Sequence, residues 1–144
     1  MYTKLYDTLP EEARKIREEI FMQEQGFKNE FDEFDIHANH LILYDGKRPI
    51  AVCRFFAREL PGDYVIGRIA VIKEYRGQNI GTYLLKAAET EIEKIGGKKF
   101  FLHAQCRVEK FYEKQGYSSF GKIELDEYCP HVWMSKRIGE KNEP

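Results

Sequence analysis

The stretch Tyr64-Val65-Ile66-Gly67-Arg68-Ile69-Ala70-Val71-Ile72, followed by Lys73-Glu74-Tyr75-Arg76-Gly77-Gln78-Asn79 and then by Ile80-Gly81-Thr82-Tyr83-Leu84-Leu85-Lys86-Ala87-Ala88, carries the strongest structural signal in the chain. Its first part is apolar at most successive positions instead of alternate ones, which predicts a strand buried on both faces and central in a sheet. Its last part changes period. Ile80, Leu84, Ala88, Ile92 and Ile95 recur at spacings of three and four, with Gly96-Gly97 beyond them as a stop, so 79–95 reads as an amphipathic helix. The turn between strand and helix gathers backbone N–H groups at the positive end of the helix, an arrangement that binds phosphate. Gly77 and Gly81 permit positive φ or a close approach of ligand to backbone, and Asn79 is one of the few other residues that takes that conformation at low cost. A glycine-softened turn that binds nothing is the competing reading.

Two familiar phosphate loops do not fit. A dinucleotide fingerprint spaces its glycines two and then three residues apart, and from Gly77 those positions hold Asn79 and Thr82. A nucleotide-hydrolysing loop opens its helix with Gly-Lys-Ser/Thr, where this chain has Gly81-Thr82-Tyr83 and no lysine to reach terminal phosphates.

Upstream of that stretch, Thr8-Leu9-Pro10-Glu11-Glu12 reads as a helix start with a Thr cap, leading to Ile16, Ile20 and Phe21 on one face and stopping near Gly26. The segment 27–39 sets Glu30, Asp32, Glu33 and Asp35 among Phe27, Phe31 and Phe34, and is expected to be a short irregular helix or loop, mobile and partly exposed. Strands follow at 40–44 and 49–58, joined by an Asp45-Gly46 turn, and Pro61-Gly62-Asp63 turns the chain into the central strand. Downstream, 99–104 reads as a strand and 107–115 as a helix stopped by Gly116, with Val108, Phe111, Tyr112 and Gln115 on one face. Strands at 117–120 and 130–137 close the pattern, and Gly139–Pro144 reads as a frayed tail. The order implies an α+β (α/β/α layered) domain, a mixed and mostly antiparallel sheet of about six to seven strands with helices on both faces.

The chain of 144 residues is short for two lobes, so a single domain over 1–144 is expected. Its 23 Lys and Arg nearly balance 24 Asp and Glu, leaving a net charge of −1 and no global field for nucleic acid. The longest apolar runs fall far short of the roughly 20 residues of a membrane helix, and the first residues do not pattern as a secretory leader, so cytoplasm is the default expectation. Cys53, Cys106 and Cys129 are odd in number and widely spaced, which reads as reduced thiols. His37, His40 and Asp35, with Cys129 and His131 far away, form a weak metal pattern, because two histidines three apart at a strand start point to opposite sides; no metal is expected.

Arg76-x-x-Asn79-x-Gly81, preceded by Arg68-Ile69-Ala70-Val71 and followed by Phe111-Tyr112-Glu113-Lys114-Gln115-Gly116-Tyr117, resembles the GNAT N-acetyltransferase family over about residues 40–138. Glu24-Gln25 and Pro130-His131 resemble its ElaA-like branch, and Asn79 stands where the family motif has its middle glycine. The resemblance implies an acetyl-CoA-dependent N-acetyltransferase in which a primary amine attacks the thioester directly in a ternary complex. It implies pyrophosphate contacts from Arg76, Gly77, Gln78, Asn79, Ile80, Gly81 and Thr82, and contacts to the acyl carbonyl and pantetheine from the backbone of Ile69 and Val71, where the strand splays near Ala70. Tyr112 stands where the family carries the tyrosine that protonates the departing thiolate, Gln105 stands at a pantetheine position, and Phe111, Lys110 and Lys114 lie on the same helix. The base that neutralises the amine is left among His131, His103, His37, His40, Glu24 and Glu33, with His131 on a strand where it alternates with Trp133 and Ser135. The acidic 30–35 segment is compatible with a cationic acceptor or with a plain solvated loop. A small-molecule or peptide amine is the expected partner, and a homodimer is left open. A coenzyme-binding sensor or scaffold without catalysis is the alternative on the same fold.

Overall fold

The computed structural model describes residues 1–139, and the rest of the tail lies outside the described residues. The elements in chain order are β1 (Tyr2–Tyr6), α1 (Glu11–Arg17) running on as a π-helical turn (Glu18–Glu24), α2 (Phe34–His37), β2 (Asn39–Asp45), β3 (Arg48–Ala57), β4 (Asp63–Val71), a 3₁₀ turn (Lys73–Tyr75) and α3 (Ile80–Lys94). Then come β5 (Lys99–Gln105), a 3₁₀ turn (Cys106–Val108), α4 (Glu109–Lys114), β6 (Ser118–Asp126) and β7 (Cys129–Arg137). Among the described residues, seven strands follow the order β1-β2-β3-β4-β5-β7-β6. β4 and β5 pair in parallel over Asp63–Val65 and Lys99–Phe101, whereas β1–β2, β2–β3, β5–β7 and β6–β7 are antiparallel.

The chain forms two compact units, one of residues 1–56 and 66–91 and the other of residues 57–65 with the chain from 92 onward. β4 and α3 each contribute to both. In the first unit the core holds Leu41, Ile42, Leu43, Ile50, Ala51 and Val52, side chains on both faces of β2 and β3, so these strands read as continuous apolar runs. Leu84, Leu85 and Ala88 bury the inner face of α3, as their spacing requires. Ile95, expected on that face, is exposed, because the helix ends at Lys94 and Gly96 at φ +90° turns the chain away. In the second unit Phe100, Leu102, Val132 and Met134 line one face of the β5–β7 pair.

Three sequence expectations change. The strand Tyr2–Tyr6, absent from the sequence reading, pairs with β2 through Tyr2–Tyr44 and Tyr6–His40; its polar, half-exposed residues carry no apolar alternation to announce it. Thr8 does not cap α1, since Pro10 occupies the cap position and no side chain bonds there. The helix does end at Gly26, which takes φ +81°, after a wide turn in which Gln25 N–H donates to the Ile20 carbonyl at 3.0 Å. The strand expected at 117–120 extends to Asp126, exposed along its whole length, beyond the reach of a burial argument.

Candidate active site

The turn between β4 and α3 has the backbone that its residues foretell. Gly77 takes φ +80° and Asn79 φ +60°, while Gly81 lies in the first turn of α3. A Cβ added at Gly77 would meet no atom within 4 Å, so glycine is there for its conformation and for the open space beside it. Asn79 therefore substitutes for glycine at the price of a side chain, and its carbonyl accepts from Tyr83 N–H at 3.1 Å as α3 begins. Ile80 is buried and pins the helix start, leaving Gly77, Gln78 and Asn79 exposed. An exposed left-handed turn ahead of a 15-residue helix fits an anion such as a pyrophosphate.

Arg76, at the start of the turn, is engaged by two groups of the protein. Its Nε donates to the Val71 carbonyl at 3.0 Å, and Nη1 and Nη2 hold both oxygens of Glu24 at 2.7 and 3.1 Å. The guanidinium thus ties the end of β4 to the end of the π-helical turn, and its charge is shared with a carboxylate. Gln78 Nε2 donates to the Glu74 carbonyl at 3.4 Å, and Thr82 lies half-buried one turn into α3.

The segment 27–39 is partly exposed and holds the short helix α2, as expected, but arginines clamp it where mobility was expected. Arg17, only 1% exposed, donates from Nε to Glu30 at 2.8 Å and from Nη1 and Nη2 to the two oxygens of Asp35 at 2.7 and 3.0 Å. Arg54, projecting from β3, donates from Nη1 to Asp32 at 2.6 Å and to Asp35 at 2.9 Å. Arg68 joins from β4: it reaches the Glu30 carboxylate at 3.0 Å, the Glu30 carbonyl at 3.0 Å and Asp32 at 3.2 Å. Three guanidinium groups meet three carboxylates, and their charges cancel. The charges of Glu30, Asp32 and Asp35 are thus answered by arginines, and of the acids in 30–35 Glu33 stands exposed outside this cluster.

Electrostatics follow from this packing. Burial pushes the Glu30 carboxyl above its ordinary value despite Arg68 and Arg17. At Asp32 and Asp35 burial pulls the same way, but the hydrogen bonds and charge of Arg54 and Arg17 overcome it and hold both carboxyls below the usual range. Burial likewise lowers His40, whose Nε2 bonds to the Asp35 carbonyl at 3.0 Å. His40 therefore serves the loop, and Asp35 has no oxygen to spare for a metal; among the described residues no three His, Cys, Asp or Glu side chains gather as a metal site. The sequence reading missed Arg17 and Arg54. The available signal was a lone arginine within an apolar helix face and another amid the apolar run Ile50–Phe56, which burial allows only with partners.

In β4 itself, Ala70 is buried and Ile69 and Val71 are half-buried. Arg68 takes φ +53°, a left-handed conformation rare for a residue with a long side chain, immediately before Ile69.

The second unit holds the remaining expected residues. Tyr112 is 9% exposed on α4, edge-on to Phe111 at 5.0 Å and to Tyr117 at 6.1 Å between centroids. Phe111 is half-buried, so Tyr112 is the deeper of the pair. Gln105 ends β5 with its side-chain oxygen accepting from Arg107 at 2.8 Å, and Lys110 and Lys114 are exposed. His131 is buried on β7, where Nδ1–H donates to the Cys129 carbonyl at 2.9 Å, which fixes its proton on that nitrogen. Its ring lies 4.9 Å from that of His103, which stacks on Trp133 at 4.7 Å. The cross-strand pairs His103–Trp133 and Gln105–His131 put all four side chains on one face.

A model of the acetyltransferase (GNAT) domain matches residues 6–138. The chain is similar to the uncharacterized N-acetyltransferase YjcF of Bacillus subtilis, with 34% identity over 87% of this chain and 90% of that one. It superposes on ElaA of Escherichia coli with a TM-score of 0.80 and 23% identity, over 94% of this chain and 99% of the other. An aminoglycoside 6′-N-acetyltransferase complexed with coenzyme A gives a TM-score of 0.77 at 15% identity, over 99% and 100% of the two chains. With the family model spanning nearly the whole chain and its seven-stranded sheet matching these folds, this protein is a member of the GNAT acetyltransferase family, an acyltransferase.

Proposed function

We propose that the protein is a single acetyltransferase domain that moves an acetyl group from acetyl-CoA to a primary amine by direct attack. The observation that carries the reading is the exposed left-handed pair Gly77 and Asn79 before α3, which suits a diphosphate. A fold shared with an acetyltransferase complexed with coenzyme A supports the choice of ligand. Residues 76–82 would hold the pyrophosphate through backbone N–H groups, with Arg76 acting mainly as a brace because Glu24 occupies its guanidinium.

In the proposed reaction the amine nitrogen bonds to the thioester carbon and the carbon–sulfur bond breaks. Backbone N–H groups of Ile69 and Val71 would meet the charge growing on the carbonyl oxygen, where loss of one such donor typically costs about 10²–10³ in rate. Tyr112 would give its hydroxyl proton to the departing thiolate, with Gln105, Phe111 and Lys114 in supporting contacts with the coenzyme. A lysine-like amine must shed a proton, at roughly 4–5 kcal/mol from pH 7, before it attacks. His131 is the proposed acceptor of that proton, since Nδ1 is committed as a donor and Nε2 carries the lone pair. Small amines and peptide amines are the acceptor classes to screen. Among the described residues no helix is long and apolar enough to cross a membrane, and we propose a cytoplasmic site of action.

Thermal melting with coenzyme A, then thiol release from acetyl-CoA with a panel of amines, tests the reading. At about 100 times its dissociation constant the coenzyme adds roughly 2.7 kcal/mol of stability, and no shift at millimolar concentration would reject it. Gly81→Val should abolish the shift in a folded protein. Tyr112→Phe should lower single-turnover transfer by about 10²-fold, the lower end for general acid catalysis, with coenzyme affinity retained. A shift without thiol release would favour the sensor alternative.

A further inference from the structure

The first unit spends three arginines on one loop, and one of them stands at the strained point of β4. Arg68 at φ +53° is costly for an ordinary side chain, and such a conformation persists only where its surroundings over-determine it. The surroundings are on its own guanidinium. Nε and Nη2 reach the Glu30 carbonyl at 3.2 and 3.0 Å, Nε lies 3.0 Å from the Glu30 carboxylate, and Nη2 lies 3.2 Å from Asp32. Glu30 and Asp32 are themselves fixed by Arg17 and Arg54. Strained backbone, fork-shaped donor and clamped acceptors therefore form one unit, and the next residue is Ile69.

We infer that Arg68 is a positioning residue: clamped by Glu30 and Asp32, it holds the left-handed turn of β4 and so sets the direction of the Ile69 and Val71 N–H groups. This rests on the acyl-transfer reading above. The loop 30–35 then acts on the reaction through Arg68 without touching either substrate. A simple need for positive φ does not explain the residue, because Gly or Asn would meet that need more cheaply. What they lack is the anchor.

The test therefore uses Arg68→Gly and Arg68→Asn, which keep the backbone accessible and remove the guanidinium. In the full-length protein both are expected to lower kcat by about 10²-fold, as a misdirected donor does, with KM for acetyl-CoA within about threefold and the thermal shift with coenzyme A retained, since residues 76–82 are unaltered. Arg68→Lys, which restores a cation without the fork, should recover part of the loss. Amide exchange followed by mass spectrometry reads the positioning without turnover: peptides covering 69–71 should exchange at least about tenfold faster in both variants, and those covering 77–82 unchanged. Wild-type kcat in folded Arg68→Gly, or unchanged exchange at 69–71, would overturn the inference. Asp32→Asn, which removes one anchor at a half-exposed site, serves should both variants fail to fold; slower kcat with unchanged KM supports the inference and wild-type kcat overturns it. A wild-type chain that releases no thiol with any amine would reject the acyl-transfer reading, and the exchange measurement would still decide the role of Arg68.

Discussion

Two loops of the first unit are held in shape by different means. The segment 27–39 is rich in acids and aromatic residues and reads as a solvated, mobile stretch; in the fold Glu30 and Asp35 are buried and bound by Arg17, Arg54 and Arg68. The turn 76–79 carries an arginine and reads as a ligand loop, and it is exposed, with backbone geometry set locally by Gly77 and Asn79. The difference lies in where the controlling interactions originate. The glycine turn is governed by φ preferences of its own residues, whereas the acidic loop is governed by cations that arrive from α1, β3 and β4.

Substituting Arg17 by Met should break the first loop most severely. Two carboxylates would keep their burial and lose a partner, a situation that costs about 3–5 kcal/mol. For a chain of this size that corresponds to a melting temperature lower by about 10 °C or more. A drop of a degree or two would mean that Glu30 and Asp35 relax into solvent and that the loop is as mobile as its sequence suggests.

The second contrast concerns the glycine turn, where the effect should be smaller and local. Gly77→Val puts a β-branched side chain at φ +80°, at a cost of about 1–3 kcal/mol, and should weaken the thermal shift with coenzyme A. Asn79→Gly should leave melting within about 1 kcal/mol of wild type and preserve the shift, since both residues accept φ +60°. Calorimetry on the two variants compares them directly.

Acid titration sharpens the comparison further. The folded-state carboxyl of Asp35 lies below its ordinary value, so its stabilisation is present above about pH 3.8 and is lost as the pH falls toward the folded value. Glu30 has the opposite sign: its raised carboxyl binds protons more tightly when folded, so its contribution declines as the pH rises through and beyond about 4.5. Asp35→Asn should therefore flatten the loss of stability as the pH falls below about 3.8, relative to wild type, and urea titrations at each pH would show it. An unchanged slope would remove Asp35 from the acid response.

The smallest effect is expected at the exposed bridge between Glu24 and Arg76. Glu24→Ala should change stability by about 0–1 kcal/mol, as exposed ion pairs do. Because Arg76 would then be released toward an anion, affinity for coenzyme A should stay level or rise. A loss of affinity would show that Arg76 works through its brace to Val71 and Glu24.

The central strand, the turn with its left-handed residues and the amphipathic α3 are legible in the chain alone, because period, φ preference and helix stop are properties of neighbouring residues. Ile80, Leu84, Ala88 and Ile92 needed no distant partner to declare a buried face. The same holds for the family motifs, which are local strings. Tertiary structure alone decided the pairing of Tyr2–Tyr6 with β2, the burial of Glu30 and Asp35, the seat of Arg76 on Glu24, and the positive φ of Arg68. Each of these depends on a group far away in sequence, 13 positions from Arg17 to Glu30 and 52 from Arg76 to Glu24, and a charged side chain carries no mark of whether water or an opposite charge will meet it.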